Sequence, residues 1–140
     1  MCGNCCSGPP GFIWLDEREQ QRLAEHLGLT VAEMLRKYCR KIDGRVSLKE
    51  VRTREGNHDC IFLKQLPAEK GDGQTVQHPR RVCGIYPVRP LQCRTWPFWD
   101  GMMATRDQWE HATRRCPGIN RGRHYTAAEV EALRDARDWP

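Results

Sequence analysis

Three thiols fall within the first six residues, Met1-Cys2-Gly3-Asn4-Cys5-Cys6. Sulfur at that density in a short non-periodic stretch suits metal ligation, since the thiolate is the form that binds a metal. Cys60, Cys83, Cys93 and Cys116 stand far apart, each in a short segment rich in Gly, Pro, Arg or aromatic residues rather than on an apolar periodic face. Cys2, Cys5, Cys6, Cys60, Cys83, Cys93 and Cys116 are therefore the candidate metal ligands. Structural zinc wants four tetrahedral ligands, commonly from two paired knuckles, and only the N-terminal cysteines are paired here. An iron–sulfur cluster also takes four thiolates and tolerates scattered ones. Seven thiols exceed one such site, which leaves reactive thiols or room for a second metal. Cys2 and Cys5 also form a C-x-x-C pair, and a redox or thiol-transfer role stays open because neighbouring arginines depress thiol pKa values.

The formal charge is +5 with every thiol neutral, and seven thiolates would bring the protein part to −2 before the metal's charge is added. Arginines cluster beside the candidate ligands. Arg80 and Arg81 precede Cys83, Arg89 and Arg94 bracket Cys93, and Arg114 and Arg115 precede Cys116. Arg89 and Arg94 are expected to lie beside the centre and contribute to binding the cofactor; the competing reading is a solvated basic surface. Trp96, Phe98 and Trp99 offer either aromatic cover for a cluster or ordinary core packing. Cys39 lies on an apolar helical stripe and is expected to be structural. His26, His78, His111 and His124 are expected in solvent, and His58, two residues before Cys60, is the histidine best placed to ligate.

The elements that must position these residues follow from local patterns. Asp16 with Glu19, Thr30 with Glu33 and Thr126 with Glu129 have capping-box spacing. They predict helices over Glu17–Leu27, ended by Gly28, over Val31–Lys41, and over Ala127–Arg137. A further helix is expected over Arg106–Arg115, with Trp109 and Ala112 inward, stopped by Cys116-Pro117-Gly118. Phe12–Leu15 could be a short strand, Arg45–Arg54 an exposed strand or hairpin arm, and Asp59–Leu63 the start of a buried strand with Cys60 at its mouth. Pro67–Pro79 has almost no apolar residues and is expected to be a mobile loop. Between Val82 and Trp99 three prolines forbid a long helix, though Pro90 can open a single turn carrying Cys93.

At 140 residues, 39% hydrophobic and with a mean hydropathy of −0.76, the chain is expected to form one domain, residues 1–140. A metal could supply what its core lacks. It has no membrane-spanning apolar run and no basic stretch followed by an apolar h-region, so a cytoplasmic location is expected. A disulfide framework belongs to oxidising compartments and is not expected. Without a Gly-rich phosphate loop or a serine or histidine nucleophile motif, any enzyme chemistry would belong to the metal site. In that case Thr95–Trp99 could line a pocket.

The combination of Cys2-Gly3-Asn4-Cys5-Cys6, Asp59-Cys60-Ile61-Phe62-Leu63, Cys83-Gly84-Ile85-Tyr86 with Arg89-Pro90, Cys93-Arg94, and Cys116-Pro117-Gly118-Ile119 with Gly122 resembles the YkgJ-type cysteine cluster family over nearly the whole chain. That resemblance implies a zinc- or iron-chelating domain that can contain an iron–sulfur cluster; a similar cluster occurs in flagellin lysine N-methylases. The family pattern is C-x-x-C-x-x-C-C, and the chain enters it at the second cysteine. The first would fall two residues upstream of Met1, so the native chain is expected to supply an eighth site thiol.

The fold class expected is α+β, a small irregular cysteine-rich metal-binding domain with a short sheet and peripheral helices. The function expected is metal binding, with an iron–sulfur cluster, 4Fe–4S in the first instance, as cofactor and zinc as the alternative. A zinc-binding structural or transfer module, and a metal-dependent enzyme acting on a small substrate or protein side chain, are the competing functions. A protein partner for metal or electron transfer is compatible with either, whereas neither a membrane nor nucleic acid is expected as a partner.

Overall fold

The structure, a computed structural model, describes residues 3–67 and 80–136. The chain divides into two compact units, Met1–Arg89 and Pro90–Pro140. In the first unit helix α1 (Glu17–Leu27) starts at a closed capping box. The Asp16 carboxylate accepts from the Glu19 N–H at 2.7 Å, and the Glu19 carboxylate accepts from the Asp16 N–H at 3.0 Å. Gly28, at φ 66°, ends it by donating to the Ala24 and Glu25 carbonyls, a left-handed position that suits a residue without Cβ. Thr30 and Glu33 open α2 (Val31–Tyr38) in the same way.

Helix α2 stops at Tyr38, a turn short of the predicted Lys41. Cys39–Ile42 instead forms strand β2, paired antiparallel with β3 (Arg45–Leu48) in the register Cys39↔Leu48 to Ile42↔Arg45. The two-residue turn between them is Asp43-Gly44, both with positive φ (48° and 80°). That conformation matches the right-handed twist of paired strands, and Asp-Gly is a strong signal for it. The hairpin thus overrides the helical spacing of the apolar residues.

Strand β1 (Trp14–Leu15) pairs with the other edge of β3, giving a three-stranded antiparallel sheet in the order β1-β3-β2. β3 is thus a hairpin arm, as expected of Arg45–Arg54, but central and not exposed, and Ser47 and Leu48 are both buried. The Ser47 hydroxyl accepts from the Ile13 N–H at 3.1 Å and donates to the Leu48 carbonyl at 3.2 Å, so its burial leaves nothing unmade. Leu15, Leu23, Ala24, Met34, Leu48, Phe62 and Ile85 form the core with Cys39, whose thiol donates to the Met34 sulfur at 3.6 Å. Cys39 is a packing residue, as its apolar stripe predicts.

Two further hairpins complete the unit. β4 (Glu50–Arg52) pairs with β5 (His58–Cys60), and β6 (Leu63–Leu66) pairs with β7 (Arg80–Cys83). The single buried strand expected from Asp59 to Leu63 is therefore two strands, separated by a turn at Ile61-Phe62. The loop expected over Pro67–Pro79 lies, beyond Pro67, outside the described residues.

The second unit is helical. Its elements are α3 (Leu91–Thr95), α4 (Asp100–Met103), α5 (Arg106–Arg115) and α6 (Ala127–Arg134). Ala112 is buried on α5 as predicted, and Cys116 caps that helix. Helix α6 ends at Arg134, three residues before the predicted Arg137, which is outside the described residues. Short antiparallel sheets in one unit and helices in both make this a small α+β protein. Among the described residues no helix is long and apolar enough to cross a membrane.

Met34 is fully buried while Val51 is half exposed. Met34→Ala should cost about 2–5 kcal/mol and Val51→Ala less than about 0.5 kcal/mol, measured by urea unfolding. Burial pushes the Cys39 thiol up to about 11, with Lys49 pulling weakly the other way. Its neutral form is the one the core favours, so this contribution to stability is complete below the ordinary thiol value and is lost as pH rises toward 11. At pH 8 a thiol reagent should leave Cys39 unmodified in the folded chain and label it only after unfolding, read by peptide mass analysis.

Candidate metal centre

The N-terminal cysteines are held against the hairpin β6–β7. Asn4–Cys6 forms one 3-10 turn, closed by the Cys6 N–H donating to the Gly3 carbonyl at 3.1 Å. Gly3 has φ 67°, and a Cβ there would lie 2.9 Å from the Arg81 Cβ and 3.0 Å from both the Arg81 carbonyl and a Leu63 methyl. Only glycine allows this approach. The Arg81 guanidinium then donates to the Asn4 amide oxygen at 3.1 Å.

The chain that follows is tied down at two more places. The His58 N–H donates to the Gly8 carbonyl at 2.7 Å, fastening the turn to β5. The Gly11 N–H donates to the Glu50 carboxylate at 3.1 Å, and Arg40 both pairs with Glu50 at 3.0 Å and donates to the Gly11 carbonyl at 2.7 Å.

These constraints bring together four thiols from three segments of the first unit. The sulfurs of Cys5 and Cys6 are 3.9 Å apart, and Cys6 is also hydrogen-bonded to Cys83. Cys60 feels the charge of both Cys5 and Cys83. Its nearness follows from pairing: Cys60 ends β5, and Leu63, which begins β6, lies opposite Cys83. Gly84 closes this corner with its N–H on the Phe62 carbonyl at 2.8 Å.

Three of these thiols are shifted in different directions. Cys83 is pulled down to about 7, chiefly by the hydrogen bond from Cys6 and, against the effect of burial, by the Ile85 N–H and the Arg89 charge. Cys6 is driven upward by its hydrogen bonds to Cys5 and Cys83 and by burial. Burial pushes Cys60 up to about 11, opposed by the Phe62 N–H and reinforced by the charges of Cys83 and Cys5. One thiolate thus forms readily, and the like charges beside it disfavour the next. A bound cation reverses that repulsion and deprotonates the ligating thiols outright.

A set of sulfur donors in a partly buried corner fits a thiophilic metal and suits Mg²⁺ or Ca²⁺ poorly. Among the described residues no three His, Cys, Asp or Glu side chains are already in ligating arrangement. A metal would have to draw the sulfurs inward.

The other sequence-predicted residues are placed as follows. Cys2 lies outside the described residues. Cys93 sits on α3, three residues after Pro90, and Cys116 follows α5, its N–H on the Ala112 carbonyl at 2.9 Å; both are half-buried and belong to the second unit. Arg89 donates to the Tyr86 carbonyl at 3.2 Å with its guanidinium 3.7 Å from that ring's centre, and its charge favours the Cys83 thiolate. Arg94 is exposed in the last turn of α3. The His58 ring has a buried Nδ1 without a hydrogen-bond partner among the described residues. Trp96 and Trp99 pack edge to face at 4.9 Å, and Trp99 donates to the Gln92 carbonyl at 3.1 Å. No disulfide occurs among the described residues.

Sequence reasoning missed Gly3, Asn4 and Arg81 as positioning residues and the Phe62 and Ile85 N–H groups as donors to sulfur. A glycine beside paired cysteines was the one available signal. The backbone donors had none, because every residue but proline carries an N–H.

A thiol-rich corner on a scaffold of short antiparallel hairpins and helices defines the class, a cysteine-cluster metal-binding protein. Residues 1–117 match the family described as "CxxCxxCC: Putative zinc- or iron-chelating domain". The chain belongs to that family, whose chemistry is metal chelation. It is also similar to "Uncharacterized protein MJ0661" of Methanocaldococcus jannaschii, at 33% identity over 98 residues. That match covers 69% of this chain and 42% of the relative's length. Comparison with solved structures gives no match.

Gly3→Ala removes no sulfur yet displaces the N-terminal turn from β6–β7. It should weaken metal binding about 10–100-fold, the range for residues that orient ligands, as measured by competition with a chromogenic chelator.

Proposed function

We propose that this chain holds an iron–sulfur cluster, 4Fe–4S in the first instance, on cysteine thiolates that include Cys5, Cys6, Cys60 and Cys83. The observation that carries this reading is the meeting of those four thiols from three separate segments, with backbone N–H groups of Phe62 and Ile85 directed at two of the sulfurs. Scattered ligands and N–H donors to sulfur are the means by which proteins hold such clusters and set their potentials. Cys2, Cys93 and Cys116 are the further candidate ligands. When bound, the cluster would supply one-electron or Lewis-acid chemistry.

The chain's own residues orient the thiols and balance their charge. Arg81 fixes the N-terminal turn through Asn4, and Arg89 favours the charged form of Cys83. Arg94 is proposed to add positive charge beside Cys93. A partner protein that takes up or delivers metal or electrons fits this reading.

One observation favours zinc as a second reading. Two thiolates bound to a single tetrahedral ion with Zn–S near 2.3 Å lie about 3.8 Å apart, close to the 3.9 Å between Cys5 and Cys6. Thiolates on different irons of a cluster are held further apart by its core.

Anaerobic purification followed by iron, acid-labile sulfide and zinc analysis separates the two. The expected result is a coloured protein with iron and sulfide in equal amounts, bleached by air. A colourless protein with stoichiometric zinc would replace the cluster by the zinc site. Cys83→Ser should lower the bound metal substantially in either case, whereas Cys39→Ala should leave the metal content unchanged.

A further inference from the structure

The second unit contains a cavity of about 570 Å³ that the metal chemistry above does not use. Its size falls within the range of small-molecule sites. Phe98 forms one wall, between Trp109 at 6.0 Å and Tyr125 at 5.0 Å between ring centres. The segment after Cys116 also lines the cavity, and its course is closely specified. The Ile119 N–H donates to the Cys116 carbonyl at 3.1 Å and the Arg121 N–H to the Gly118 carbonyl at 3.2 Å. Asn120 and Gly122 take positive φ, 59° and 84°, and the Trp109 indole donates to the Asn120 amide oxygen at 3.4 Å. This fold-back carries Arg121, Arg123 and His124 to the cavity, and among the described residues no acidic side chain lines it.

The two arginines differ in what they already bind. Arg123 lies 4.7 Å over the Tyr125 ring and is paired with Glu129, so its charge is largely committed. Arg121 is exposed, with no ion partner among the described residues. Aromatic rings on the lining favour an apolar, flat body, and a guanidinium on the same lining selects an anion, which it can grip with two parallel N–H groups. A cationic ligand would meet two arginines without an opposing carboxylate on the lining.

We propose that this cavity binds a small planar aromatic compound carrying a carboxylate or similar anionic group. Its ring lies against Phe98 and Trp109, and its charge meets Arg121. Cys116 is among the lining residues, so such a ligand would sit near one of the candidate metal ligands. The proposal does not depend on which metal the protein holds.

Calorimetric titration of the full chain, as purified with its metal, tests it with 2-naphthoate and the uncharged 2-naphthamide as probes. The expected result is one saturable site for the acid and binding at least about tenfold weaker for the amide. Arg121→Gln should weaken the acid about tenfold and leave the amide unchanged, and Arg121→Lys, which keeps the charge but not the paired N–H groups, should recover part of the loss. Phe98→Leu, with folding checked by circular dichroism, should weaken both probes. Absence of saturable binding at millimolar probe, equal affinity for acid and amide, or indifference to Arg121→Gln would each overturn the proposal. Because Arg121 is exposed, its variants test the site without endangering the fold.

Discussion

The register of the β6–β7 hairpin is the constraint on which the candidate metal centre depends. It places Cys83 opposite Leu63, three residues beyond Cys60, and so brings together two thiols that are 23 positions apart in the chain. Side chains alternate across a strand, so a slip of one residue would turn Cys83 to the other face. The same hairpin receives the N-terminal turn, with Gly3 against Arg81 and Leu63. A single pairing decision therefore positions Cys5, Cys6, Cys60 and Cys83 together. The bond from the Gly84 N–H to the Phe62 carbonyl and the turn at Ile61-Phe62 hold the corner once it has formed.

Gathering thiols in this way is electrostatically unfavourable for the chain alone. Cys83 ionises readily because Cys6, the Ile85 N–H and Arg89 all support its thiolate, but that charge opposes ionisation of Cys60. The net charge of +5 supplies a general counterweight and Arg89 acts locally through its field, while Arg81 positions the N-terminal turn through its bond to Asn4. Metal binding would remove the conflict between neighbouring thiolates, so folding of this corner and loading of its metal are expected to be coupled. The apolar core of the first unit is small, and coupling of that kind gives the hairpins a second source of order.

Much of the helical framework was legible from short-range patterns. The capping pairs Asp16/Glu19, Thr30/Glu33 and Thr126/Glu129 each open a helix at the expected residue, and Gly28 ends α1. Helix α2 was misread beyond Tyr38, because apolar spacing through Ile42 looks helical until the Asp43-Gly44 turn is given its weight. The central position of β3 was missed for a different reason. Nothing within Arg45–Leu48 shows that Trp14–Leu15 will pair with its outer edge. The cavity in the second unit was only hinted at by the aromatic Thr95–Trp99 stretch, since the rest of its lining comes from later residues between Trp109 and Val130.

By itself the sequence determined the donor chemistry, the helix starts and the family pattern, because each rests on residue identity or on contacts a few positions apart. Seven thiols in the right company specify a soft-metal protein wherever they come to lie. Only the tertiary structure decided which thiols meet. It brought Cys5, Cys6, Cys60 and Cys83 together in one unit, and placed Cys93 on a helix and Cys116 at the end of a helix in the other. It also decided that Cys83 is the thiol whose charged form is favoured, since the Cys6 hydrogen bond, the Ile85 N–H and the Arg89 charge act on it only after the chain has closed. The physical reason is the range of the interactions. Capping and turn preferences act over three or four residues, whereas strand register and the field at a sulfur depend on groups tens of residues away.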